Sequence, residues 1–218
     1  MGLKVTAFTY PQLVNLFEEI FIYQAYAHLK DHTPNLIVDC GSNIGISVLY
    51  FKTLYPQCRI IAFEPEPDTF SLLKANVTDN HLAGVTAHCI ALSDSDAGQT
   101  LYSNPDINGG LTMSLFHSTE KTEFKSVASK RLSSFITSEV DLLKVDVEGS
   151  EILIVQDLID NNKIRLVREM IIEYHPTITN RSVESFVSLI ESKNFSCTHE
   201  KDFIHPGATE IMIRAKRI

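Results

Sequence analysis

Leu36-Ile37-Val38-Asp39-Cys40-Gly41-Ser42-Asn43-Ile44-Gly45 decides the fold. An apolar strand over 36–39 runs directly into a tight, glycine-bearing turn, and a helix is expected over 44–54. Gly41 and Gly45 remove side chains where a ligand must approach the backbone, and the helix beyond presents free N–H groups. On either side, apolar runs of strand length alternate with segments of helical period, the pattern of an α/β fold with a mainly parallel sheet. Further strands are expected over 59–64, 85–92, 99–102, 141–147 and 168–174, with closing strands near 195–199 and 210–214. Helices are expected from Pro11, from Pro67 to near Asn80, over 150–159 and over 182–192.

The 218 residues are 44% hydrophobic and 21% charged, close to the average of soluble globular domains. That balance excludes a disordered chain, a coiled coil and a collagen-like repeat. One domain over 1–218 is expected, with 1–33 as a helical extension. Asn104-Pro105-Asp106-Ile107-Asn108-Gly109-Gly110 is turn chemistry, and 103–120 reads as a loop on the side of a substrate. A net charge of −8 argues against a broad phosphate-binding surface, so nucleic acid is not an expected partner. Cys40, Cys58, Cys89 and Cys197 lie far apart with no ligand-like spacing, which excludes a zinc ribbon and a disulfide scaffold. Asn15, Glu18, Glu19 and Gln24 interrupt the apolar stretch near the start, so no signal peptide is read there. No run reaches the roughly 18 apolar residues of a membrane span. The expected compartment is the cytoplasm, and no feature specifies an oligomeric state.

The first turn is D-x-G-x-N-x-G, not the G-x-G-x-x-G of dinucleotide-binding folds. Asp39 would repel a pyrophosphate but attract an ammonium group, such as the one on the amino-acid end of S-adenosylmethionine. A purely structural strand-to-helix turn accounts for the same residues. Glu64 narrows the choice, because an acid ending the second strand of a nucleotide-binding α/β fold accepts hydrogen bonds from both ribose hydroxyls. Pro65-Glu66-Pro67 then fixes the turn.

Val140-Asp141-Leu142-Leu143-Lys144-Val145-Asp146-Val147-Glu148-Gly149-Ser150-Glu151 puts Lys144, Asp146 and Glu148 on one side while the strand lasts. Charges in a central strand are costly to bury unpaired. Strand carboxyl ends are where open α/β sheets bind ligands, so Asp146 and Glu148 are expected in a cleft. Ile171-Ile172-Glu173-Tyr174-His175-Pro176 again places polar groups at a strand end. A satisfied salt-bridge network of Lys144, Glu148 and Glu173 is the structural alternative.

Together with Ala91-Leu92-Ser93-Asp94, these segments resemble the FkbM-type methyltransferases over roughly residues 14 to 176. Lys144-x-Asp146-x-Glu148-Gly149-x-Glu151 is the most specific piece. The resemblance implies a Rossmann-like class I methyltransferase fold, with a seven-stranded, mostly parallel sheet flanked by helices. It also implies S-adenosylmethionine-dependent methylation of a hydroxyl on a small-molecule, sugar or lipid acceptor. Carried over by position, Asp39, Gly41, Asn43 and Gly45 hold the methionine end and Glu64 the ribose, with Ser42 and Pro65 in the same cofactor-binding turns. Ile90 and Ala91 lie beside the adenine, and Asp146 lies near the sulfonium and the acceptor.

A hydroxyl nucleophile needs a base within hydrogen-bond reach. Asp146, Glu148 and His175 are the candidates: His175 for its unperturbed pKa of about 6.5, Asp146 for its position. Lys144 is expected to pair with an acid and hold it in place. Glu18 and Tyr23 or Tyr26 either cover the cofactor as a lid or pack in the core. Asp146, Glu148, Glu151 and Glu173 suit a divalent cation chemically, but base and structural roles are favoured and no resident metal is assigned. His28 and His32 have the spacing of a helical metal pair without a third ligand. Two other functions fit the turn: a non-catalytic S-adenosylmethionine-binding domain, and a nicotinamide-dependent oxidoreductase, which the missing glycine at Asn43 disfavours.

Overall fold

The computed structural model describes residues 2–27, 32–103, 113–116, 123–179, 181–201 and 209–218. In chain order the strands are β1 (Leu36–Cys40), β2 (Arg59–Phe63), β3 (Val85–His88), β4 (Ala91–Leu92), β5 (Gln99–Ser103), β6 (Glu123–Val127), β7 (Ser129–Lys130), β8 (Val140–Val145), β9 (Val167–Tyr174), β10 (Phe195–Lys201) and β11 (Ile211–Arg217). The helices are α1 (Tyr10–Phe17), α2 (Ile46–Leu54), α3 (Pro67–Asp79), α4 (Glu151–Asp160), α5 (Pro176–Thr179) and α6 (Val183–Glu191).

Every residue of β1 and β8 is buried, as strands covered on both faces must be. Both lie inside a seven-stranded sheet ordered β10-β11-β9-β8-β1-β2-β3. All pairings are parallel except those of β11, which runs antiparallel to β9 and β10. Alternation divides the core between two faces. Val38, Leu143 and Ile172 pack with Ile154 of α4 and Phe186 of α6. Ile37, Leu142 and Ile171 pack with Val48 of α2 and Leu73 of α3. The chain leaves β3 at one edge and returns as β8 beside β1. β1 and β8 therefore flank the topological switch point, whose carboxyl-end crevice is the ligand site of open α/β sheets.

Local chemistry starts the helices where expected. Thr9 caps α1 ahead of Pro11, and the Glu66 carboxylate accepts from Thr69 N at 2.7 Å ahead of α3. Two expectations change. The strand expected over 85–92 divides, because the chain leaves the sheet after β3 and β4 pairs instead with β7. The N-terminal extension is helical only from Tyr10. Before it, an arm is pinned to α3 by Thr6 N–H donating to Asn76 Oδ1 and Lys4 N–H to Asn80 Oδ1. After it, α1 widens into a π-helical turn, Glu18–Ile22. The loop expected over 103–120 lies mostly outside the described residues, as does His28. Among the described residues no helix is long and apolar enough to cross a membrane.

Candidate active site

Sheet register assembles the site. Asp39 of β1 is the partner of Lys144 of β8, and Val145 pairs with Cys40 on one side and Ile172 on the other. One residue further, where Asp146 N–H donates to Cys40 O at 3.0 Å, Gly41, Asp146 and Glu173 come level at the carboxyl edge. Gly41 has φ +81°, and a Cβ there would fall on the Asp146 carbonyl. Its missing side chain thus admits the neighbouring strand end as well as exposing backbone to the cleft. Gly45 (φ +89°) serves helix packing: a Cβ there would lie 2.6 Å from Leu73 Cδ1.

Lys144 is the hub beneath the cleft. Its Nζ donates to Gly41 O at 2.7 Å and to Asp146 Oδ2 at 3.1 Å, and lies 3.3 Å from Asp39 Oδ1. Burial alone would lower its pKa, but Asp146 and Asp39 outweigh that and keep the ammonium charged. Ser47 Oγ donates to the other Asp39 oxygen at 2.6 Å. Asp39 is therefore fully buried behind the turn, out of the cleft wall. Its partner is the Lys144 ammonium. Tyr26 OH donates to Asp146 Oδ2 at 3.2 Å, so Tyr26, 3% exposed, packs in the core and supports the site at once. Burial, then the adjacent Asp146 carboxylate, keeps its phenol protonated.

Glu64 stands at the end of β2 with both oxygens engaged. Asn43 N–H donates to Oε2 at 3.0 Å and Glu66 N–H to Oε1 at 2.9 Å. Burial pushes its pKa up to about 7, against the pull of those N–H groups. The other donors of the turn are taken as well: Gly41 N–H and Ser42 N–H both reach Phe63 O at the end of β2, and Ile44 N–H reaches Asn43 Oδ1. Ser42 Oγ donates to Asp39 O at 3.0 Å and is buried away from the cleft. A turn with its N–H groups spent in this way is not a pyrophosphate cradle.

His175 departs most from expectation. It is 3% exposed, with Nδ1 2.9 Å from Glu151 Oε1 and Nε2 3.7 Å from Glu148 Oε2. Burial would lower its pKa, but the Glu151 carboxylate, then Glu148 and Glu173, raise it to about 10. It is an imidazolium at neutral pH, a clamp between two acids and not a free base. Gly149 N–H donates to the same Glu151 oxygen, and Ser114 Oγ donates to Glu148 O at 2.5 Å. These contacts hold Glu148 at φ +54°, a left-handed conformation that is uncommon for a side-chain-bearing residue.

The cleft counts Gly41, Asn43, Glu64, Pro65, Ile90, Ala91, Asp146 and Glu148 among its walls. Asp39, Ser42, Gly45, Lys144 and His175 lie behind them. Its empty volume is about 890 Å³ including space open to solvent. Glu19 of the π-helical turn also lines it, where the sequence pointed to Glu18. The turn of π-helix, a feature that often marks functional sites, is what carries Glu19 to the cleft; residue spacing alone does not reveal it. Glu173 lines the cleft too, and burial, then Asp146 and Glu19, push its carboxyl well above the usual range. Leu16, Leu101, Met113 and Leu115 complete an apolar side. Asp146, Glu173 and His175 bring ligand-type atoms within 4.8 Å of one another, a different group from the four acids expected. His175 and Asp146 in it already serve Glu151, Lys144 and Tyr26. His32 faces Asp141, with Nε2 3.2 Å from Oδ1.

A family model described as the methyltransferase FkbM domain matches residues 39–197. A relative named Methyltransferase 1, from Beauveria bassiana, is 33% identical, covering 93% of this chain and 89% of its own length. The 31-O-demethyl-FK506 methyltransferase FkbM of Streptomyces tacrolimicus is 27% identical with the same coverage. Among solved structures, that of methyltransferase FkbM from Methylobacillus flagellatus is similar with a TM-score of 0.61 at 14% identity, over 91% of this chain. This chain spans about half of that protein, 47%.

Proposed function

The chain belongs to the FkbM methyltransferase family, and we propose that it moves a methyl group from S-adenosylmethionine to a hydroxyl oxygen of a small-molecule acceptor. The observation that carries this reading is the pairing, in one switch-point crevice, of Glu64 with the level acids Asp146 and Glu173. The donor supplies an electrophilic methyl on a sulfonium and brings net positive charge, which suits a cleft walled by carboxylates. Glu64, held by Asn43 and Glu66, keeps lone pairs for ribose hydroxyls. Gly41 and Asn43 would take the methionine end, and Ile90, Ala91 and Phe63 offer apolar surface to the adenine.

Asp146 is the group we assign to the acceptor. Lys144 and Tyr26 both hold its Oδ2, leaving Oδ1 to orient the hydroxyl. It takes the proton as the carbon–oxygen bond forms and the carbon–sulfur bond breaks. Glu148, on the same wall, is the second candidate. The apolar side chains exclude water while the oxygen is held at a near-attack distance of about 3 Å. Family membership displaces the nicotinamide alternative.

Incubation with methyl-tritiated S-adenosylmethionine and a panel of hydroxylated compounds tests the reading. Label that survives mild alkali in an acceptor supports ether formation, and label released by alkali indicates a carboxyl ester instead. Cofactor binding with no transfer to any acceptor would favour the non-catalytic alternative.

A further inference from the structure

The charge of the cleft specifies more than the cofactor. Glu19, Glu64, Asp146, Glu148 and Glu173 line it, and among the described residues no lysine, arginine or histidine does. Two cations, Lys144 and the His175 imidazolium, are sunk behind the wall with side chains 2% and 4% exposed. Lys144 already serves Asp39, Asp146 and the Gly41 carbonyl, and His175 serves Glu151 and Glu148. In the first turn the N–H groups of Gly41 and Ser42 bond to Phe63 O, that of Asn43 to Glu64 and that of Ile44 to Asn43 Oδ1, while that of Gly149 bonds to Glu151. Recognition of a carboxylate, phosphate or sulfate requires such a cation or an array of free N–H groups. One side of the wall is apolar, formed by Leu16, Leu101, Met113 and Leu115, while Tyr26, Asn43 and Ser150 add uncharged polar groups elsewhere in the lining.

Resting on the methyltransferase reading above, we infer that the acceptor is an uncharged, largely apolar alcohol, and that compounds with an anionic group near the reacting hydroxyl are rejected. An anion brought into this partly desolvated cleft is repelled chiefly by the Glu19, Asp146 and Glu148 carboxylates, since burial raises the pKa of Glu64 and Glu173. Glu19 stands at the junction of the acidic and apolar walls and is the residue through which this selection can be altered.

The test uses the full chain loaded with S-adenosylhomocysteine, titrated by calorimetry with 1-octanol and with octanoate. The alcohol is expected to bind at least about tenfold more tightly than the carboxylate. Glu19→Lys should narrow that gap by strengthening octanoate binding, with S-adenosylhomocysteine affinity as the check on folding. Leu16→Asp should weaken octanol binding, which locates the alcohol in the cleft. Octanoate binding as tightly as octanol, binding of neither probe at millimolar concentration, or octanol binding indifferent to Leu16→Asp would each overturn the inference. Failure to bind S-adenosylhomocysteine would defeat the parent reading as well, whereas its binding together with a preference for octanoate defeats this inference alone.

Discussion

Asp39 and Lys144 face each other from adjacent parallel strands, and their charged ends meet 3.3 Å apart with side chains 0% and 2% exposed. Neither would be tolerated alone in the centre of a sheet, and each has the other because the register of β1 and β8 aligns them. The same ammonium holds Asp146, so a buried structural pair sets the position of the residue assigned to the acceptor.

Lys144→Met strands two carboxylates and should cost about 3–5 kcal/mol of stability in urea denaturation. Adding Asp39→Asn should restore part of that loss, because removing both members of a buried pair costs less than removing one. Equal stability of the single variant and wild type would contradict the hub role.

Glu64 links stability to pH. Its folded pKa of about 7 exceeds the carboxyl value of an unfolded chain, about 4.3. Between those values the folded protein keeps a proton that the unfolded chain has released, so this group makes stability fall as pH rises from about 4 to 7. Glu64→Gln should flatten that slope in denaturation curves measured across the window.

His175 acts with the opposite sign at higher pH. Its pKa is raised to about 10, so its contribution is complete below about 6.5 and is lost as pH climbs through 10. His175→Asn should be less stable than wild type by on the order of 3 kcal/mol at pH 6, and the difference should shrink by pH 10. A pH–rate profile of wild type with an inflection near 6.5 that vanishes in His175→Asn would instead restore it as a base.

Gly41→Ala puts a methyl on the Asp146 carbonyl at a positive φ. The expected loss is at least about 2 kcal/mol of stability, with weakened cofactor binding measured by calorimetry. Gly45→Ala presses only on the Leu73 side chain and should spare binding more than stability.

The order of the main strands and helices is legible because each carries a period and a cap of its own: the buried run of β1, Pro67 behind the Glu66 cap, the apolar face of α6. The cleft placement of Glu64 and Asp146 is legible because the carboxyl ends of strands line the ligand crevice of open α/β sheets. What is hidden depends on tertiary pairing. β6 has four exposed residues in five and carries no hydrophobic signal, yet it pairs along its length with β5. Glu19 reaches the cleft through a π-helical turn that α-helical spacing does not foresee. His175 looks like a base because residue type supplies only an unperturbed pKa. The two acids that keep it protonated lie on the chain segment after β8 and at the start of α4.

Calorimetric titration of wild type and Glu64→Ala with S-adenosylmethionine, with NADH as control, tests the central claim most directly. The account predicts micromolar binding to wild type, weakened by about 1.5–3 kcal/mol in the variant through loss of hydrogen bonds to a charged group, and no heat with NADH. Folded wild-type protein that gives no heat with S-adenosylmethionine, or binds it as tightly without the Glu64 carboxylate, would contradict it.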